Sequence, residues 1–197
     1  MTAKLGQMNS VVERVARELD DDTLLFVLGD HGMTAEGDHG GDSHLETEAA
    51  LFVHSRHPFA LNWEQLSPFL ATAQLTKVGP EEVRVVPQID FVPTLSLALG
   101  LPIPFGNLGK VIPELILAGS QGLSLIEELE RANDMLRINT RQVRTYLEKY
   151  ASVSSSFSQE TLQQMDLLYE QSEGLFRSLG LSRNLSQEYI SSCFFFS

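Results

Sequence analysis

Between Thr23 and His44 the chain runs Thr-Leu-Leu-Phe-Val-Leu-Gly-Asp-His-Gly-Met and then, a few residues on, Asp-His-Gly-Gly-Asp-Ser-His. The uninterrupted apolar run Leu24 to Leu28 has the length and composition of a buried strand, and Gly29 stops it. Asp30 and His31 are thereby delivered to the carboxyl end of a strand, where open α/β sheets place ligands and metals. A second group of acidic and imidazole side chains follows at once: Asp38, His39, Asp42 and His44. Gly32, Gly37, Gly40 and Gly41 allow the backbone to turn tightly around it. Carboxylates and imidazoles without thiolates suit zinc or manganese. The plain alternative is a capped loop histidine beside a solvated acidic loop. A zinc site needs three or four protein ligands, so the metal reading requires this loop to fold back over the strand end.

Two function classes follow from these residues. The first is metal-assisted phosphoryl transfer or hydrolysis, with Asp30, His31 and His39 as ligands. No hydroxyl nucleophile occupies a recognisable position, and Thr34, three residues past His31, reads as a loop hydroxyl serving backbone groups. The second is a non-enzymatic docking module, favoured by apolar helical stripes that need a partner. A serine–histidine–acid triad built on the adjacent Ser43 and His44 lacks any nucleophile-elbow pattern.

Acidic residues outnumber basic ones 26 to 14, a formal charge of −12. Such a balance argues against a nucleic-acid partner, which needs clustered Lys and Arg. It leaves a phosphorylated substrate open, because a metal supplies positive charge locally. The lone cysteine, Cys193, excludes an internal disulfide framework. No apolar run reaches the roughly 18 residues that span a bilayer, and no signal sequence is visible.

Around this stretch the pattern is that of an α/β protein followed by a helical hairpin. Residues 4–19 read as an amphipathic helix with Leu5, Met8, Val12, Val15 and Leu19 on one stripe. A second strand is expected over 49–54, beside the first and in a direction left open, because the 35–48 connection looks too glycine-rich for a helix. One helical turn is expected near Trp63 to Leu70, and a β-prone run over 83–86. A helix follows from Asp90 to Gly100, with Phe91, Leu95, Ala98 and Leu99 facing the core. The proline- and glycine-broken stretch 101–109 is expected to be stiff and largely buried. After a short helix over 111–118, two longer ones are expected over 123–150 and 159–179. The first carries Leu125, Leu129, Ala132, Leu136, Val143 and Leu147, and the second Leu162, Met165, Tyr169, Phe176 and Leu179. Boundaries are set at 1–120 for the α/β part, 121–180 for the helical appendage and 181–197 for an irregular tail. That tail holds the sequon Asn184-Leu185-Ser186, and Asn184 is a candidate glycosylation site.

Gly29-Asp30-His31-Gly32-Met33 with Gly37-Asp38-His39-Gly40-Gly41 resembles the metal-binding segment of the alkaline phosphatase superfamily. Gln88-Ile89-Asp90-Phe91-Val92-Pro93-Thr94 and Gly100-Leu101-Pro102-Ile103-Pro104-Phe105-Gly106-Asn107-Leu108-Gly109 narrow the resemblance to the ethanolamine phosphate transferases of GPI-anchor synthesis. The resemblance implies a partial alkaline-phosphatase-like domain, an incomplete mixed sheet with flanking helices. It implies a two-zinc transfer of ethanolamine phosphate from phosphatidylethanolamine to the third mannose of the GPI precursor. It also implies a lumenal catalytic domain at the endoplasmic reticulum membrane, with a possible small membrane partner subunit. Carried onto this sequence, Asp30 and His31 match the family's metal-binding pair and His39 its downstream histidine. His44 and Asp38 are further candidates for the metal or phosphate. The family's nucleophilic threonine has no match here, so the chain reads as a truncated piece that would be inactive alone.

Overall fold

The structure is a computed structural model and describes residues 2–56, 74–78, 81–118 and 125–178. The expected turn near Trp63 to Leu70 and the tail carrying Asn184 lie outside the described residues. The chain divides into two compact units, Met1–Phe59 and Ala60–Ser197. The architecture is mixed α/β, with open two-stranded sheets and helices, followed by long helical segments.

The first unit contains α1 (Thr2–Glu18), β1 (Leu24–Leu28), the helical turn α2 (His44–Thr47) and β2 (Leu51–Ser55). Glu13 pairs with Arg17 across one turn of α1. The residues after Asp20 form the surface turn expected of the aspartate run, with the Thr23 N–H and hydroxyl both donating to Asp20. Strands β1 and β2 are neighbours, as expected, and their pairing is antiparallel, from Leu24 opposite Ser55 to Leu28 opposite Leu51. The expectation of a helix-free 35–48 connection is corrected. Its glycines end at Gly41, and Ser43 with Glu46 three positions later supplies the residues that start a helix. The α1 stripe is only partly covered: Val12 and Leu19 are half-buried, whereas Leu5 and Met8 are 64% and 61% exposed.

The second unit starts with the antiparallel pair β3 (Gln74–Val78) and β4 (Glu81–Val85). A 3-10 turn (Gln88–Asp90) leads into α3 (Phe91–Ala98), which is followed by α4 (Pro113–Ala118), α5 (Leu125–Val153) and α6 (Gln159–Ser178). Leu97, Ile103, Val111, Ile116, Ala132 and Met135 form the core. Two expectations are corrected here. In α3 the buried positions are Pro93, Thr94 and Leu97, while Leu99 is 70% exposed. The 3-10 turn sets the phase of the helix, and Thr94 goes inside because its hydroxyl donates to the Asp90 carbonyl (2.6 Å) and accepts the Ile112 N–H (2.9 Å). In the loop after α3 only Ile103 and Gly109 are buried, and Leu101, Phe105 and Leu108 are exposed.

Gly100 ends α3 as expected. Its φ of +66° suits a left-handed residue, and the Gly100 and Leu101 amides bond back to the Leu97 and Ser96 carbonyls. That pair of bonds is the Schellman closure. Asp90 stands before α3 without capping it by its side chain; its buried carboxylate accepts the Lys110 N–H instead (2.8 Å).

The buried face of α5 also differs from the expected leucine stripe. It runs Ala132, Met135, Asn139, Gln142, and its two amides bond to main-chain groups of the 105–111 stretch. Asn139 accepts the Val111 N–H (2.9 Å) and donates to the Gly109 carbonyl (3.0 Å). Gln142 donates to the carbonyls of Phe105 and Asn107. Arg84 on β4 meets Glu114 on α4 at 2.7 Å with both side chains largely covered.

Helices α5 and α6 form the expected antiparallel hairpin. Arg137 holds Glu173 through two bonds of 2.8 and 2.6 Å. Arg144 lies over the Tyr169 ring and reaches Asp166 at 3.0 Å. Tyr150 meets Phe157 edge-on at the closed end. A two-bond guanidinium–carboxylate pair is geometrically demanding and strong when shielded. Replacing Arg137 by alanine is expected to detach α6, with a loss of about 1.5–3 kcal/mol in the hairpin. Amide hydrogen exchange along α6 measures it; unchanged protection near Glu173 contradicts it. Among the described residues no helix is long and apolar enough to cross a membrane.

Candidate metal centre

Strand β1 delivers the first two candidate ligands. The ladder continues one residue past Leu28, where the Gly29 N–H donates to the Ala50 carbonyl (3.1 Å), and the chain then leaves the sheet at Asp30. The Asp30 carboxylate accepts the His31 N–H (3.1 Å), and its other oxygen lies 3.9 Å from His31 Nε2. His31 Nδ1 donates to the Gly32 carbonyl (2.7 Å). A carbonyl only accepts, so this bond places the ring proton on Nδ1 and leaves Nε2 as the lone-pair nitrogen.

A tight turn brings His39 back to this pair. The Thr34 N–H donates to the Asp38 carbonyl (3.0 Å), and the Thr34 hydroxyl accepts the Asp38 N–H (3.1 Å). The threonine is thus the loop hydroxyl its sequence position suggested. Gly37 and Gly40 take φ of +98° and +92°, conformations open to glycine that turn the chain on both sides of Asp38 and His39. The His39 ring stacks on His31 with centroids 5.2 Å apart and planes within 6°. His39 Nδ1 also faces a carbonyl, that of Gly37 (3.4 Å), so both imidazoles keep Nε2 as the lone-pair nitrogen.

His44 goes elsewhere. It opens α2, is 92% exposed at its side chain and pairs with Glu48 one turn on (3.2 Å). Sequence reading passed over Glu46 and Glu48. Glu46 was legible from the Ser43-x-x-Glu46 spacing of a capping box. Its carboxylate accepts the Ser43 hydroxyl (2.6 Å) and the Gly41 N–H (3.0 Å); these bonds, the hydroxyl's foremost, hold it below the usual carboxylate range.

The structure therefore brings Asp30, His31 and His39 into one neighbourhood and turns His44 away from it. The donor types and exposed Nε2 atoms fit zinc in kind. In number they make a partial shell: among the described residues no group of three or more His, Cys, Asp or Glu side chains converges to hold a metal.

Comparison with known proteins bears on what such a shell belongs to. No family model and no solved structure matches the chain. The human protein "GPI ethanolamine phosphate transferase 3, catalytic subunit" is 41% identical over 169 residues, 86% of this chain and 14% of its own length. The Schizosaccharomyces pombe protein "GPI ethanolamine phosphate transferase 3" is 38% identical over 158 residues, 80% of this chain and 15% of its own. The chain is homologous to a segment of the GPI ethanolamine phosphate transferases. Within them the matched share of this chain varies even among type 3 proteins, down to 58% in that of Saccharomyces cerevisiae. The Saccharomyces cerevisiae "GPI ethanolamine phosphate transferase 2" aligns at 37% identity over 123 residues, only 59% of this chain. The chain spans about one-seventh of the relatives it matches.

Proposed function

We propose that this chain supplies part of the metal shell of a GPI ethanolamine phosphate transferase of type 3. Asp30, His31 and His39 are its ligands to one of two zinc ions, with Asp38 and His44 as outlying candidates for the metal or phosphate. The observation that carries this reading is the return of the loop that sets His39 beside His31, ring centroids 5.2 Å apart, next to Asp30; a tilt of the near-parallel rings would turn both Nε2 lone pairs to one ion. Bound zinc supplies a Lewis acid for phosphoryl oxygens and an anchor for anionic substrate. The chain's own residues do the holding: the Gly32 and Gly37 carbonyls fix the imidazole tautomers, and the Asp30 carboxylate adds negative charge beside His31.

The whole-protein reaction proposed is transfer of ethanolamine phosphate from phosphatidylethanolamine to the third mannose of the GPI precursor, at the lumenal face of the endoplasmic reticulum membrane. The human relative's designation as a catalytic subunit supports a further, non-catalytic partner. With a partial shell, the chain alone binds metal and does not turn over.

The test is zinc stoichiometry on the purified chain at buffered free zinc. About one zinc per chain is expected, lost in Asp30→Ala and in His39→Ala and retained in His44→Ala. Zinc binding unaffected by Asp30→Ala and His39→Ala would refute the ligand assignment. A second reading is that the chain docks onto further protein without chemistry of its own. The exposed Leu5 and Met8 of α1 favour it, and a folded chain that takes up no zinc is its expected signature.

A further inference from the structure

A glycine-rich loop is a poor platform for a metal ligand. Gly37, Gly40 and Gly41 surround His39, and each glycine enlarges the set of conformations the loop must give up to seat that ring. For His31 and His39 to remain stacked, something outside the loop has to fix it. Thr34 fixes its first half, through Asp38. Among the described residues, one side chain outside it holds its second half.

We propose that Glu46 is a positioning residue, tying the His39 loop and the Asp30–His31 loop into one unit and so setting the geometry of the proposed metal centre. Its side chain takes the Gly41 N–H at 3.0 Å and the Ser43 hydroxyl at 2.6 Å, anchoring the chain two residues beyond His39. Its main chain takes the Gly32 N–H at 2.8 Å, anchoring the chain one residue beyond His31. Both segments thus bond to the same residue. The sequence makes room for this on both sides. A Cβ on Gly32 would run into the carbonyl oxygens of Leu45 and Glu48, and a Cβ on Gly41 would run into the Glu46 carboxylate itself. Helix stability is an insufficient reason for the arrangement, since α2 has only four residues and its other side-chain bonds, from the Thr47 hydroxyl to the Ser43 carbonyl and between His44 and Glu48, stay within the turn.

The inference rests on Asp30, His31 and His39 being the ligands, and its test separates the two. The full chain is prepared as wild type, Glu46→Ala, Glu46→Gln and Thr47→Ala. Two quantities are read: proton NMR contacts between the His31 and His39 rings with the Gly41 amide resonance, in zinc-free protein, and affinity for zinc alone. A glutamine at this position still accepts the Gly41 N–H through its amide oxygen, and its amide N–H donates to the Ser43 hydroxyl in place of accepting from it. Glu46→Ala is expected to lose the ring–ring contacts and the Gly41 shift, and to weaken zinc by about 10–100-fold. Glu46→Gln and Thr47→Ala are expected to keep all three. Intact ring contacts in Glu46→Ala would overturn the proposal whatever zinc does. Loss of zinc in Glu46→Gln with the ring contacts kept would make the carboxylate a ligand, and equal loss in Thr47→Ala would reduce the effect to unravelling of the turn; either overturns it. If wild type takes up no zinc while the ring contacts still depend on Glu46, the positioning role stands and the metal assignment falls.

Discussion

Replacing Asn139 by alanine is expected to lower the stability of the second unit by about 2–4 kcal/mol, one of the two largest single effects anticipated here. Asn139 is 3% exposed. Its amide closes two main-chain groups at once, the Val111 N–H and the Gly109 carbonyl, at 2.9 and 3.0 Å. Val111 is fully buried, so water cannot replace the lost partner without opening the core. Each unpaired buried group costs about 1–3 kcal/mol, and some relaxation is expected to recover part of the sum. Asn139→Asp is expected to fare no better, because it keeps the acceptor but sets a carboxylate against the Gly109 carbonyl. Thr140→Ala is the matched control: its exposed hydroxyl bonds only to its own helix at Leu136, and its stability should be near wild type. Urea unfolding followed by helical circular dichroism, with exchange of the Val111 amide alongside, measures all three. An Asn139→Ala midpoint equal to wild type would show that the clasp contributes nothing.

Gly32→Ala is expected to be nearly as damaging in the first unit and worse for metal. The added methyl has no space against the Leu45 and Glu48 carbonyls, and those are backbone atoms that cannot rotate aside. Overpacking of this kind costs about 1–3 kcal/mol. The shift needed to relieve it lies one residue from His31 and breaks the Gly32–Glu46 bond. Zinc affinity is therefore expected to fall by more than about tenfold, even if much of the unit stays folded. Gly6→Ala in α1, where the added methyl meets nothing, should leave zinc unchanged. Isothermal titration with zinc and thermal melts of the same samples measure both terms; wild-type affinity in Gly32→Ala would remove the argument for a close approach there.

Much of this was legible in the residues. The unbroken Leu24–Leu28 run ended by Gly29 located β1 and the exit at Asp30, but not its burial: the strand is half-buried and Leu28 is exposed. Gly100 likewise announced the end of α3. What failed was reasoning that stopped at composition. The 35–48 stretch was judged by its glycines, although they end at Gly41 and the Ser43–Glu46 spacing begins a helical turn. His44 seemed grouped with His39 by proximity in sequence, yet opening a helix directs it to Glu48. Asn139 and Gln142 were passed over because amides on a helix usually face water. Their burial answers a need that arises about 30 residues away, in main-chain groups of a loop, and no local pattern records that need.

That clasp has a consequence for what the loop can become. Asn139 and Gln142 grip carbonyls and an amide, groups that nearly every residue carries alike. They recognise the path of the chain between Phe105 and Val111, and are indifferent to which outward side chains it bears. Leu101 and Leu108, exposed on either side of the gripped turn, are thereby released from any duty to the fold. The loop is thus a socket locked from beneath by main-chain bonds and at its sides by Phe105 against Tyr146 and Asn107 on the Ile89 carbonyl, with Leu101 and Leu108 the positions left uncommitted.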